Sequence, residues 1–224
     1  MLLKLQNITK GYGQAGTHSY RAVLKELNFE LAQGEKVAIV GPSGSGKTTL
    51  LNLIGALDMP ESGKICFEGT DITEYTKSEL AVFRNKKLGF IFQLHYLMPQ
   101  LTLWENVLFP LLPQGNKISK EQSDWAEHLI RKVGIWEQRK QKPAEMSGGE
   151  CQRTAVVRAL INKPKLVLAD EPTGALDENN AKALSELLIQ LSEEENISLV
   201  TVTHSSELAA KMDKKYILKN GKLC

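Results

Sequence analysis

The pattern of hydrophobic and polar residues divides the chain into short β-rich runs and longer helical stretches. Alternating apolar residues predict strands at residues 1–12 and 23–35, and the second ends in a turn. Short apolar runs predict further strands, at residues 36–40, 63–69, 88–93, 165–170, 198–204 and 215–222. Periodic apolar positions predict helices, at residues 48–57, 101–112, 119–135 and 145–161. This alternation is typical of an α/β fold with a mostly parallel central sheet.

A helical insertion is predicted in the middle of the chain, at about residues 94–146. The strand patterns stop between Gln93 and Ser147, and prolines punctuate the helical stretches that replace them. A segment of about fifty residues would struggle to build a core of its own. We therefore predict one domain, residues 1–224, with the insertion inside it.

Composition and charge exclude several classes of protein. Of the 224 residues, 42% are hydrophobic and 24% charged, which are ordinary globular values, and the net charge is +2. Long basic runs are absent, so no nucleic-acid partner is indicated. Cys66, Cys151 and Cys224 have no CxxC spacing, which indicates neither a disulfide framework nor a zinc site and fits a reducing cytosolic setting. No segment approaches the roughly 18 apolar residues of a membrane span, so any membrane role would come through a partner.

The segment GPSGSGKTTL lies directly after an apolar strand and directly before a helix, which is the context of a phosphate-binding loop. Its glycines allow backbone N–H groups to converge on phosphate oxygens. Lys47 would reach the β- and γ-phosphates, and the Thr48 hydroxyl would bind Mg²⁺. The alternative is a glycine-rich turn that matches by accident. The candidate nucleotide-binding residues of this loop are Gly41, Pro42, Ser43, Gly44, Ser45, Gly46, Lys47, Thr48 and Thr49.

Two carboxylates follow the strand in KLVLADEPTGALD. Asp170 at the strand end would hold a carboxylate near the metal ion, and Glu171 would face the attacking water as general base. Alone, such a pair is more often a solvated strand exit. Together with the phosphate loop it predicts nucleotide hydrolysis, because that reaction needs a metal ion and a positioned water at one place.

Two further strands end in a polar residue that is a candidate for the same site. His204 ends the strand at residues 198–204, where it could contact the γ-phosphate. Gln93 ends the strand at residues 88–93, where its amide could touch both the metal ion and the water. A lone histidine is more often structural, and Gln93 taken alone is a polar strand end.

A second glycine-rich helix start occurs about a hundred residues after the first. Ser147, Gly148 and Gly149 would form an anion site at a helix N-terminus, yet the first loop already surrounds one face of the triphosphate. A second site on the same nucleotide must come from the opposite side, which a symmetric copy of the chain provides most simply. We therefore predict a homodimer that sandwiches ATP. The alternative is a serine N-cap followed by small residues for close packing.

Taken together, these motifs make the chain resemble the nucleotide-binding subunit of ABC transporters over essentially its full length. Gln93 matches the family's Q-loop, MSGGECQR its signature, LVLADEP its Walker B motif, ALD its D-loop and His204 its switch histidine. The resemblance implies a P-loop NTPase core with an N-terminal antiparallel β region, and ATP hydrolysis with Mg²⁺ coupled to transport. A kinase is disfavoured because it would have no use for Glu171 or the signature.

The resemblance also assigns roles that the residues alone do not. Tyr12 falls where the family has an aromatic residue that stacks on adenine, and Asp177 joins the nucleotide-binding set through the D-loop. Ser147 and Gly149 are implied to contact the γ-phosphate of the partner's ATP. The helical insertion is implied to bind transmembrane permease subunits, which would hold the chain at the cytoplasmic face of the inner membrane.

Loop residues beyond the shared motifs indicate the branch of the family. The segments around the phosphate loop and Gln93 look like the branch of lipoprotein-release and macrolide-export ATPases, and His95 with Glu150 is closer to the lipoprotein-release pattern. Drug or peptide efflux and cell division remain as alternatives. The chain departs from the family at Met146, where leucine is usual, and at Cys151, which we expect to face outward.

Overall fold

The computed structural model describes residues 1–14, 19–115 and 117–224, and its strands form two sheets. In chain order the strands are β1 (Leu3–Tyr12), β2 (Arg21–Leu31), β3 (Lys36–Val40), β4 (Ser62–Phe67), β5 (Thr70–Asp71), β6 (Leu88–Ile91), β7 (Leu166–Asp170), β8 (Ser198–Val202), β9 (Lys214–Lys219) and β10 (Lys222–Leu223). The first sheet is antiparallel, with strand order β2-β1-β4-β5. It confirms the expected N-terminal antiparallel region.

The second sheet has strand order β10-β9-β3-β8-β7-β6 and is parallel except for the β9–β10 hairpin. Residues 215–222 were expected to form a single strand, but Asn220 and Gly221 have positive φ and turn the chain back there. Because parallel strands point the same way, β3, β6, β7 and β8 end at one edge of the sheet. The candidate residues that follow these strands are thereby brought to that edge.

The helices are α1 (Lys47–Ile54), α2 (Lys77–Lys87), α3 (Leu103–Leu108), α4 (Lys120–Lys132), α5 (Gly148–Leu160), α6 (Glu178–Glu194) and α7 (Ser206–Ala210). The single helix expected at residues 101–112 is wrong in its second half. A 3₁₀ segment, Phe109–Gln114, follows α3 there, because Pro110 and Pro113 lack the N–H groups that an α-helix needs. Within the described ranges, no helix combines the length and the apolar character needed to cross a bilayer.

Two large hydrophobic clusters and a small third one form the core of the described residues, and the helices of the insertion belong to the second. The first cluster joins the antiparallel sheet to α1 and to β3, through residues such as Leu5, Ile39 and Leu50. The second cluster combines α3 and α4 with α5, α6 and β6. The insertion therefore shares its core with the helix that follows it and does not stand apart from the parallel sheet.

Candidate nucleotide-binding site

The phosphate loop leaves the buried strand β3 and turns into α1 at Gly46. Gly46 is the N-cap of α1 with φ 103°, and a Cβ there would lie 2.6 Å from Cγ1 of Val23, so only glycine fits. No side chain caps α1. The N–H groups of its first turn consequently face the loop without a side-chain acceptor, as in sites that bind phosphate.

Lys47 lies across the inside of this loop. Its side chain is buried, and Nζ donates to the carbonyl oxygens of Gly41 at 2.9 Å and Pro42 at 3.2 Å. The Oγ atom of Ser45 is buried and has no hydrogen-bond partner within the described structure. Ser43 and Gly44 are exposed, and Thr49 is half-buried in α1. A charged donor and an orphaned hydroxyl around a cluster of backbone N–H groups fit the oxygens of a phosphate chain.

Thr48 and Asp170 form the pair that the sequence assigns to the metal ion. The Thr48 hydroxyl donates to Oδ2 of Asp170 at 3.1 Å. Burial raises the pKa of Asp170, although the Thr48 hydrogen bond and the charge of Lys47 oppose this. Across the described ranges, no group of three His, Cys, Asp or Glu side chains is placed to hold a metal ion. The two oxygens suit Mg²⁺, which takes one or two protein ligands and completes its shell with phosphate oxygens and water.

Glu171 follows Asp170 in a left-handed conformation, with φ 46°. Such a backbone is uncommon outside glycine and persists only where the surroundings fix it. The Glu171 N–H donates to the carbonyl of Val202 at 2.9 Å, and its Oε2 accepts from the backbone N–H of His204 at 3.0 Å. Its Oε1 is buried without a hydrogen bond among the described residues. That oxygen is available to accept a proton.

His204 stands between the phosphate loop and Glu171. Its Nε2 lies 3.5 Å from Nζ of Lys47 and 3.5 Å from Oε1 of Glu171. Gln93, two residues after β6, lies beside Gly174 in the segment that follows Glu171. A Cβ on Gly174 would lie 3.2 Å from Nε2 of Gln93 and 3.4 Å from the Glu171 carbonyl oxygen. The Gly174 N–H donates to the Glu171 carbonyl at 3.0 Å. The parallel sheet thus brings three candidate residues from three strand ends to one place.

Tyr12 lies at the end of β1, and its ring is 47% exposed. Its hydroxyl donates to Oδ2 of Asp58 at 3.1 Å, and Nζ of Lys10 lies 5.3 Å from the ring centroid. Burial would raise the pKa of Asp58, but hydrogen bonds from Lys10, the Met59 backbone and Tyr12 hold it below the usual value. Asp58 and Lys10 orient the ring, and no sequence motif indicated either residue.

A strand pairing connects Tyr12 to the phosphate loop. Tyr12 is paired with Arg21 across β1 and β2, and the Arg21 guanidinium donates to the Gly44 carbonyl at 3.3 Å. Arg21 therefore lies between the exposed ring of Tyr12 and the phosphate loop. Arg21 is a further residue at this site that the sequence pattern did not indicate.

The second helix start lies at another place in the molecule. Ser147 is the N-cap of α5, and it forms a capping box with Glu150, whose carboxylate accepts from the Ser147 N–H at 2.7 Å. Gly148 is exposed, whereas Gly149 is buried beside Asn180 of α6. Asp177 caps α6 by accepting from the Asn180 N–H at 3.1 Å. Within the described structure, no hydrogen bond joins Ser147, Gly148 or Gly149 to the phosphate loop.

Cys151 corrects an expectation from the sequence. It was expected to face outward, but its side chain is only 2% exposed and packs against Leu97 and Ala155. Burial raises the pKa of the Cys151 thiol. Cys151 is therefore part of the buried packing of α5.

Comparison with known proteins identifies relatives over the whole chain. The sequence model of the ABC transporter family matches residues 24–174. The lipoprotein-releasing system ATP-binding protein LolD of Shewanella oneidensis is 45% identical over 223 residues, which are 100% of this chain and 96% of that protein. LolD 1 of Rhodopirellula baltica is 47% identical over 222 residues, 99% of this chain and 96% of that protein.

Solved structures show the same architecture. A dimeric ATP-binding cassette in a post-hydrolysis state, bound to ADP and Pi, matches with a TM-score of 0.89 and 37% identity. The match covers 99% of this chain and 96% of that one. A dimeric bacterial ABC transporter cassette matches with the same TM-score and identity.

Proposed function

The chain belongs to the ABC transporter family, and we propose that it is the ATP-hydrolysing subunit of a lipoprotein-releasing transporter. Two copies close around two ATP molecules and drive transmembrane partner subunits. The observation that carries the proposal is the meeting of Lys47, Asp170, Glu171 and His204 at one edge of the parallel sheet. Relatives that match nearly end to end support the lipoprotein-releasing role.

ATP binding is assigned to the phosphate loop and Tyr12. Backbone N–H groups of Gly41 and of residues 43–49 supply donors, whereas Pro42 has none, and the Lys47 ammonium gives up its two carbonyl contacts to reach the phosphates. The Tyr12 ring, held by Asp58, stacks on adenine. Thr48 and Asp170 would hold Mg²⁺ together with Gln93, and the bound ion supplies positive charge that compensates the phosphate oxygens.

Hydrolysis is assigned to Glu171. Its Oε1, which accepts no hydrogen bond among the described residues, accepts a proton from the water that attacks the γ-phosphorus, while the bond from that phosphorus to ADP breaks. The His204 backbone N–H fixes Oε2, so the two carboxylate oxygens have separate tasks. The His204 ring, which lies between Lys47 and Glu171, contacts the γ-phosphate side of the site.

The second copy completes each site. Ser147, Gly148 and Gly149 of the second copy contact the γ-phosphate from the face opposite the loop, and Asp177 lies next to them through Asn180. The helical insertion presents exposed apolar side chains to the permease, among them Leu94, Tyr96 and Phe109. Through that contact the chain is peripheral to the cytoplasmic face of the membrane.

Substitution of Glu171 by glutamine tests the hydrolytic assignment. Glu171→Gln keeps the size of the side chain and removes the base, so the hydrolysis rate should fall by about 10²–10⁴-fold while ATP still binds. The variant should accumulate as an ATP-bound dimer, which light scattering detects. Turnover near the wild-type rate would show that Glu171 is not the base.

Release of a labelled lipoprotein tests the transport role. Membrane proteins that co-purify with the chain are reconstituted in liposomes together with a fluorescent lipoprotein. ATP should release the lipoprotein into the supernatant with the wild-type chain and not with Glu171→Gln. ATP hydrolysis without release, or release of a macrolide instead, would favour the drug or peptide efflux alternative.

A further inference from the structure

Gln152 is a polar side chain in the buried face of α5. It is only 2% exposed, and the residues one helical turn further, Ala155 and Val156, are fully buried. A buried amide costs free energy unless it is hydrogen-bonded, so its partners explain why it is there. Gln152 lies within the MSGGECQR motif, but neither the sequence analysis nor the proposed function gives its side chain a role.

The amide nitrogen of Gln152 bridges two neighbouring strand ends. Nε2 donates to the Phe92 carbonyl at 2.9 Å and to the Pro172 carbonyl at 2.9 Å, so both of its hydrogens are used. The bridge is possible because β6 and β7 pair in parallel, with Ile91 opposite Ala169. One side chain therefore holds the two segments that follow β6 and β7.

Each of these carbonyls belongs to a residue adjacent to a candidate catalytic residue. Phe92 precedes Gln93, and Pro172 follows Glu171. The left-handed backbone of Glu171 needs fixed neighbours, and its own N–H and carbonyl are bonded to Val202 and Gly174. The Gln152 contact holds the Pro172 carbonyl, which is the next peptide group along the chain after the Glu171 carbonyl.

The same helix carries the residues proposed to contact the second ATP. Ser147, the N-cap of α5, lies about one and a half turns before Gln152. Further along α5, Arg158 donates to the carbonyls of His95 at 2.7 Å and Tyr96 at 2.6 Å. The loop after Gln93 is thus bonded to α5 through the carbonyls of His95 and Tyr96, and the segment after Glu171 through the carbonyl of Pro172.

We propose that Gln152 is a positioning residue for ATP hydrolysis, which holds Glu171 and Gln93 in register with the helix that begins at Ser147. This inference rests on the proposed function, because it takes Glu171 as the general base. When the N-terminus of α5 contacts the second nucleotide, the Gln152 amide fixes the positions of the Phe92 and Pro172 carbonyls relative to α5. Glu171 is then aligned for the water, although Gln152 touches neither substrate nor water.

Gln152→Met tests the proposal because it keeps the length of the side chain and removes both donors. A small misplacement of a catalytic group can cost about a hundredfold, so kcat should fall by about 10- to 100-fold while KM for ATP changes less than about threefold. Thr154→Val is the matched control, since Thr154 is fully buried in α5 and its hydroxyl, among the described residues, bonds only the Glu150 carbonyl of the same helix. That control should stay within about twofold of wild type in kcat.

A double-mutant cycle separates positioning from general support of the fold. In a Glu171→Gln background the base is absent, so Gln152→Met should lower the residual rate by less than about twofold. An equal loss in both backgrounds, or a single variant with wild-type kcat, would overturn the proposal. If Gln152→Met shows no cooperative thermal transition, Gln152→Asn, whose shorter amide cannot span both carbonyls, enters the cycle under the same criteria.

The outcomes distinguish this inference from the proposed function. Loss of hydrolysis in Glu171→Gln together with full activity in Gln152→Met means that only the positioning role fails. Wild-type turnover in Glu171→Gln means that the assignment of the base fails, and the positioning role fails with it.

Discussion

The helix starts of α1 and α5 are both rich in glycine, yet their first-turn donors are used differently. At α1 the N-cap is Gly46, no side chain accepts from the first turn, and no acidic residue lies there. At α5 the hydroxyl of Ser147 accepts from the Glu150 N–H, and the Glu150 carboxylate accepts from the Ser147 N–H. No N–H group in the first turn of α1 is bonded to a capping side chain, whereas in the first turn of α5 the Glu150 N–H is already bonded to the Ser147 hydroxyl.

From this difference we infer that a glycine-rich helix start is not by itself an anion site. The loop before α1 combines open donors with the Lys47 ammonium, so it can bind phosphate alone. The start of α5 carries a carboxylate instead, and hydrogen bonds from the Ser147 backbone and hydroxyl lower the pKa of Glu150. We infer that α5 serves a phosphate that the loop of the other copy has already bound and neutralised.

Gly148→Asp should have the largest effect of these variants. If α5 bound the ATP of its own chain, this variant would weaken ATP binding by the monomer, and the contrast between α1 and α5 would fail. A Cβ on Gly148 meets no heavy atom within 4 Å, so the monomer should keep its fold and its ATP affinity. The new carboxylate would repel the γ-phosphate across the interface and abolish dimer formation and hydrolysis. Calorimetry at low protein concentration measures the affinity, and light scattering in a Glu171→Gln background measures the dimer.

Gly149→Asp is the contrasting variant at the neighbouring position. A Cβ on Gly149 would lie 3.2 Å from Oδ1 of Asn180 in the same chain, so this change should also lower the thermal midpoint of the monomer. Loss of monomeric ATP affinity in Gly148→Asp would contradict the assignment of α5 to the second copy's nucleotide.

Lys47→Ala should weaken ATP binding by the isolated chain by about a hundredfold, because hydrogen bonds to charged groups contribute about 1.5–3 kcal/mol. Lys36→Ala is the matched control. Lys36 is buried to the same extent, with 8% exposed, but its ammonium faces Glu193 and Asp213. It should cost stability and leave ATP affinity intact. Equal losses of affinity in both variants would show that Lys47 acts through the fold.

Ser147→Ala should have the smallest effect, a loss of about 1 kcal/mol in the free energy of unfolding from the missing N-cap. Thr76→Ala removes a capping box of the same kind at α2, away from the nucleotide site. Urea unfolding should show similar losses for the two variants. Only Ser147→Ala should weaken the ATP-dependent dimer. If the dimer forms as in the wild type, Ser147 serves only as the N-cap of α5.

Most of the strands, and the order of strand, glycine-rich loop and helix at residues 36–54, were predictable because their signals are local. An apolar strand, a glycine-rich turn and a helix follow each other directly at residues 36–54, and the carboxyl ends of parallel strands must meet at one edge. The pattern did not predict α2, where Leu80 and Phe83 are the buried residues and the remaining positions are mainly polar. A helix with so few apolar positions gives little periodicity.

The contacts of the supporting residues were not predictable from motifs, although Gln152 itself lies within MSGGECQR. Asp58 meets Tyr12 across a separation of 46 residues, and Gln152 meets Phe92 across 60. Such contacts depend on how the elements pack and leave no local pattern. A signal did exist for Gln152, since it is a polar residue one helical turn before the apolar pair Ala155 and Val156.

The shared core of the helical insertion limits how this molecule can be re-engineered. Leu103 and Val107 of the insertion pack in one cluster with Val156 of α5 and Leu184 of α6. Exchange of the whole segment with that of a distant relative would change the buried side chains of the insertion but not those of α5 and α6 that pack against them, so the shared core would be poorly packed. If the exposed side chains of the insertion contact the permease as proposed, exchange of surface residues such as Leu94 and Phe109 would alter that contact and leave the shared core intact.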